Sequence, residues 1–80
     1  MDLQSITVHL DVTPFVPFVI ELDNGRRVTV RHPENVFLIP NRAKLWYIEV
    51  YDEENDAVAM FHPSAVSALL KVRKDSESLR

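Results

Sequence analysis

Eighty residues, 46% of them hydrophobic and with a net charge of −3, describe one small domain with ample material for a core. The acidic balance excludes a protein coated in basic residues for duplex DNA, while leaving room for a local basic patch. The chain has no cysteine, which removes disulfide frameworks, cysteine-held metals and thiol nucleophiles. No apolar run approaches the ~20 residues of a membrane span and no basic-then-apolar leader opens the chain, so a cytoplasmic protein without a membrane partner is expected.

The first regular pattern is SITVHLDV, residues 5–12, where Ile6, Val8, Leu10 and Val12 alternate with polar neighbours. A period of two with β-branched residues predicts a strand. Pro14 and Pro17 follow and mark an edge or a bend, with Phe15 and Phe18 as its anchors in the core. Next comes FVIELDNGRRVTV, residues 18–30, which carries the only glycine of the chain. A two-residue Asn24-Gly25 loop would set apolar positions opposite polar ones on one sheet face. A three-residue loop, Asp23-Asn24-Gly25, instead pairs Ile20 with Val28 and Phe18 with Val30. Its third position must be left-handed, which glycine adopts without steric cost.

HPEN, residues 32–35, interrupts the hairpin, and VFLIP, residues 36–40, reads as a strand buried on both faces. NRAK is a polar turn. KLWYIEVY and AVAMFH then form a second hairpin around the acidic DEEND. With Glu53-Glu54-Asn55 as the loop, Trp46, Ile48 and Val50 face Val58 and Met60, and Asn55 takes the left-handed position. The stretch from Pro63 to Lys74 fits a helix with Val66, Leu69, Leu70 and Arg73 on one side. It fits equally a turn followed by a strand aligning Val66, Ala68, Leu70 and Val72. Residues 76–80 form a polar tail behind a single domain spanning residues 1–75. The expected class is all-β: a small, strongly bent antiparallel barrel built from five or more short strands.

This order of elements resembles the Sm-like family, which includes bacterial Hfq, and the resemblance makes the barrel Sm-like (SH3-like). FVIELDNGRRVTV matches the first Sm motif, a strand ending in a Leu-x-x-Gly turn and followed by a basic, alternating strand. FHPSAV, residues 61–66, occupies the slot of the second motif, with His62-Pro63 where the family carries Arg-Gly. The resemblance covers roughly residues 16–73, and the family opens on a helix where this chain's alternation predicts a strand. The segment from Pro14 to Val36 is also similar to short bacterial proteins with a Pro-Phe-x-Pro-Phe opening and a His-Pro-Glu step.

The resemblance implies a homo-oligomeric ring of about five to seven subunits, joined by edge strands that would otherwise stay open. It implies binding of single-stranded, uridine- or adenine-rich RNA at the pore-side loops. His32 and His62 would stack on bases, Asn35 would read a base edge, and Arg26, Arg27 and Arg31 would hold phosphate. Read without the family, His-Pro pairs are turn-formers, RRVTVR is a solvated strand face, and His9, His32 and His62 lack metal-ligand spacing. No nucleophile–base or paired-carboxylate arrangement can be placed on adjacent loops, so neither an enzyme nor a cofactor is expected. The alternative to RNA binding is a non-catalytic structural or protein-interaction module on the same small barrel. The acidic balance and the replaced Arg-Gly favour it.

Overall fold

The computed structural model describes residues 3–72. Helix α1 (Leu3–Asp11) is followed by β1 (Phe18–Leu22), β2 (Arg27–Val30) and a 3-10 turn at Pro33–Asn35. Strands β3 (Val36–Pro40), β4 (Leu45–Asp52) and β5 (Ala57–Phe61) come next, then a second 3-10 turn (Pro63–Ala65) and β6 (Val66–Lys71). The chain is mostly β, as expected. Two antiparallel three-stranded sheets, in the orders β2-β1-β6 and β3-β4-β5, hold the core between them, with β2 lying against β4. No described helix is long and apolar enough to cross a membrane. The polar tail expected at 76–80 lies outside the described residues.

The first hairpin forms as its parity requires. Phe18 pairs with Val30 and Ile20 with Val28, and all four side chains are fully buried. The Leu22 N–H donates to the Arg26 carbonyl at 2.8 Å, and Gly25 sits at φ +87°. Nothing lies within 4 Å of the position a Cβ would take at Gly25, so backbone conformation alone selects glycine there. Phe15 packs on Phe18 with ring centroids 6.1 Å apart, anchoring the proline bend.

The opening segment is a helix, not the expected strand. On a helix, Ile6 and Leu10 are four residues apart and share one face, and both are buried in the core. Burying two such side chains contributes ~1.5–3 kcal/mol each, which exceeds the few tenths of a kcal/mol that each β-branched residue costs in a helix. Val8, which the alternation also assigned inward, is 56% exposed. Arg42 in the β3–β4 turn clamps the helix end with two hydrogen bonds to Asp11, of 2.9 and 2.7 Å.

Strand β3 is an edge strand, not one buried on both faces: Val36 and Leu38 pack against the core, while Phe37 and Ile39 point outward. The NRAK turn forms as read, with Asn41 Oδ1 accepting from the backbone N–H groups of Ala43 and Lys44.

The second hairpin is shifted by one residue from the expected register. Val50 pairs with Ala59 and Ile48 with Phe61, so Ala59 and Phe61 are buried while Val58 and Met60 turn outward. Asp52 causes the shift. Its buried carboxylate accepts from the Glu54 N–H at 3.1 Å and the Asn55 side-chain amide at 2.8 Å. That lengthens the loop to Glu53–Glu54–Asn55–Asp56, with Asp56 rather than Asn55 left-handed at φ 49°.

The last segment is a short turn and a strand. The register of β6 against β1 shifts at Ser67, whose hydroxyl donates to the Glu21 carbonyl at 3.1 Å. The bulge reverses the alternation, so Val66 and Leu69 both reach the core and Leu70 is left outside.

Candidate functional site

Three of the residues singled out for RNA meet at one place. The turn at Pro33–Asn35 brings Arg31, His32 and Asn35 beside the acidic loop of the second hairpin. Arg31 Nη2 donates to Glu54 Oε1 at 2.6 Å, Asn35 Nδ2 donates to Glu53 Oε1 at 3.0 Å, and His32 Nε2 lies 3.6 Å from the same oxygen. Each cationic or amide group thus already faces a carboxylate. Exposed pairs of this kind contribute only ~0–1 kcal/mol and can be displaced. An incoming phosphate would nevertheless meet Glu53, Glu54 and Asp56 on the same loop.

The other three lie elsewhere. Arg27 stands opposite Glu21 across β1 and β2 and donates to it at 3.1 Å. Arg26 is exposed beyond the first hairpin loop, where its backbone N–H donates to Asn24 Oδ1. His62 caps the second 3-10 turn: its Nδ1 accepts from the Ser64 N–H at 3.1 Å. That bond places the ring proton on Nε2, which leaves a donor free of the turn.

His62 and His32 belong to opposite ends of β4. His62 packs edge-on against Tyr47 near the start of that strand, with ring centroids 6.4 Å apart. His32 faces Glu53, just past the strand's end. Six residues of extended chain, ~20 Å, separate the two places. Trp46, Tyr47 and His62 line an open cleft of about 330 Å³, and the Lys44 ammonium lies 5.2 Å from the centre of the Trp46 ring. A second open groove, of about 480 Å³, runs between α1 and β3 past Leu10, Leu38 and Arg42. The Arg42 guanidinium there is fully engaged by Asp11 and holds that carboxyl below its ordinary 3.8.

Sequence reasoning missed the apolar outer face of the second sheet. Seven outward residues of the second sheet fall into register: Tyr51 beside Val58, Phe37 beside Glu49 beside Met60, and Ile39 beside Tyr47. The apolar members remain 36–60% exposed. The Tyr51 hydroxyl donates to Asp56 Oδ1 at 2.8 Å, which pushes its ionisation above the ordinary 10.0. The usable sequence signal was Asp52. Read as the residue that caps the loop through its side chain, it moves the pairing by one and turns Val58 and Met60 outward. Among the described residues, no group of three or more histidine and acidic side chains is placed to hold a metal ion.

No family model, no curated protein and no solved structure matches this chain.

Proposed function

We propose that this chain is a non-catalytic protein-interaction module, built as a small Sm-like barrel, that docks through the outer face of β3-β4-β5. The observation that carries the reading is that face. Its six apolar side chains, Phe37, Ile39, Tyr47, Tyr51, Val58 and Met60, leave roughly 500 Å² open on one sheet face, toward the top of the ~300–600 Å² of the largest patch on an ordinary monomer, a size that often marks a docking site. An apolar area of this size on one sheet costs solubility unless something covers it. The carboxylates beside Arg27 and Arg31 support the same reading, because an RNA phosphate would have to compete with Glu21 and Glu54 and approach the acidic loop.

A second reading, a ring of about five to seven subunits binding single-stranded RNA, draws on the family resemblance. It is favoured by one feature, the cleft of Trp46, Tyr47 and His62, where a base could stack.

Two measurements on dilute protein separate them. The anionic dye bis-ANS, which brightens on apolar surface, should bind the monomeric native chain and lose signal in the uncharged variant Met60→Gln at unchanged melting temperature. Fluorescence anisotropy with labelled oligo-uridine and oligo-adenine should stay flat. Saturable RNA binding that disappears in Tyr47→Ala and in His62→Ala would put the ring in place of the module. A chain that is monomeric at the same concentration and still ignores the dye would remove the docking face.

A further inference from the structure

The occupant of the outer face can be argued from its charge and area. Across the strands the face is apolar, with Glu49 in the middle of the central row. Along β4 it is polarised. The Lys44 ammonium stands at one end, and Glu53, Glu54 and Asp56 stand at the other, where Arg31 offsets only part of the negative charge. Such a face is complementary to itself when turned end for end.

We propose that a second copy of this chain covers it, packed sheet on sheet about a two-fold axis that crosses β4 near Glu49. The proposal rests on the docking face named above. The alternative two-fold, parallel to β4, would set Lys44 over Lys44 and the acidic loop over its own copy, so charge selects the antiparallel arrangement. The Tyr51–Val58 row of each copy then lies over the Ile39–Tyr47 row of the other, and the Phe37–Glu49–Met60 rows lie over each other. Two faces of roughly 500 Å² bury about 1,000 Å² of apolar surface, and the Lys44 and acidic-loop ends that close over each other bring the total toward the ~1,200 Å² lower bound of a stable specific interface. An edge-to-edge ring would leave this face open.

Closing the axis brings the two Glu49 carboxylates near each other, which sets the second copy apart from a basic partner. Glu49→Gln should tighten self-association by roughly tenfold, since it removes a like-charge apposition. A basic partner would instead lose affinity.

Sedimentation equilibrium of the full chain, from about 1 to 100 µM, is the test. The expected result is a mass twice the 9.2 kDa of the chain. Met60→Glu and, independently, Phe37→Glu should return the monomer with unaltered melting, Lys44→Glu should weaken association, and Glu49→Gln should strengthen it. A monomer throughout the range, in a chain that still binds bis-ANS, overturns the second copy and leaves the docking reading intact. A dimer that survives both Met60→Glu and Phe37→Glu places association on another surface and overturns it too. So does a mass of five or more chains, or a weaker dimer in Glu49→Gln.

Discussion

Gly25 and Asp52 do for the two hairpins what no other residue in their loops does. Gly25 holds φ +87° with open space around its missing Cβ, so substitution is penalised through the backbone alone. Gly25→Val is expected to destabilise the fold by ~1–2 kcal/mol, because a β-branched side chain is strained in the left-handed region. In a domain of this size that lowers the melting temperature by roughly 4–8 °C per kcal/mol. An unchanged melting curve would reject this account of the turn. Asp52 acts through its side chain, since a buried carboxylate makes two hydrogen bonds that define a four-residue loop. Asp52→Ala leaves the Glu54 N–H and the Asn55 amide without their acceptor and should cost ~1–3 kcal/mol. Glu53→Ala, at an exposed position on the same loop, should stay within ~0.5 kcal/mol of wild type. Equal losses in the two variants would show that the loop does not depend on Asp52.

At the scale of elements, α1 is the segment whose secondary structure the sequence pattern and the fold assign differently, and the His9 ring lies 5.1 Å from that of Phe18. Ile6 and Leu10 enter the core, and Arg42 clamps Asp11 from the β3–β4 turn. Ile6→Ala should cost ~2–5 kcal/mol, whereas Val8→Ala should be nearly neutral. The clamp also makes the helix sensitive to acid. The Arg42 hydrogen bonds hold the Asp11 carboxyl below 3.8, so the folded state binds this proton more weakly than the unfolded chain does. The stabilisation is therefore present above about pH 3.8 and is lost as pH falls through the depressed value. An NMR titration should place the Asp11 carboxyl below 3.8 in the wild type and back toward it in Arg42→Ala. Amide exchange in α1 should rise selectively under the same acid conditions. Exchange that rises evenly across the sheets would mean that the clamp is irrelevant to docking of the helix.

For the whole molecule, the two sheets share one core: Phe18, Ile20, Val28 and Val30 from the first meet Ile48, Val50 and Phe61 from the second. Neither sheet has a second apolar layer to retreat to, so the chain should unfold in one transition. Far-UV and near-UV circular dichroism should give coincident melting curves, and Val50→Ala should move both together. Separate midpoints would show that one sheet persists without the other. The outer face belongs to this scale as well. It does not add to the core of one copy, so its cost to solubility is offset only when something covers it.

What the residues determined by themselves are features written in short range. The polar-apolar parity of residues 18–30, together with one glycine, admits a single loop length, and the structure has it. The NRAK turn and the all-β class follow from equally local chemistry. Tertiary structure decided wherever two local readings had similar energies. SITVHLDV satisfies a period of two and also places Ile6 and Leu10 four apart. A core already lined by β1 and β2 accepts the helix, and the burial of two side chains outweighs weak intrinsic preference. The second hairpin turned on whether Asp52 is a strand residue or the cap of its loop, and only its burial answers that. The end of the chain depended on the open side of β1, which pairs with Val66–Lys71 and stretches it into a strand. For an RNA site, the sequence singled out six candidate residues but not their separation. Distance along β4 and the reach of the acidic loop place Arg31, His32 and Asn35 at one end and His62 at the other. The apolar face stayed hidden for a single reason. In a strand, a one-residue change of register exchanges inside for outside, and that change was decided by one carboxylate finding its hydrogen bonds out of water.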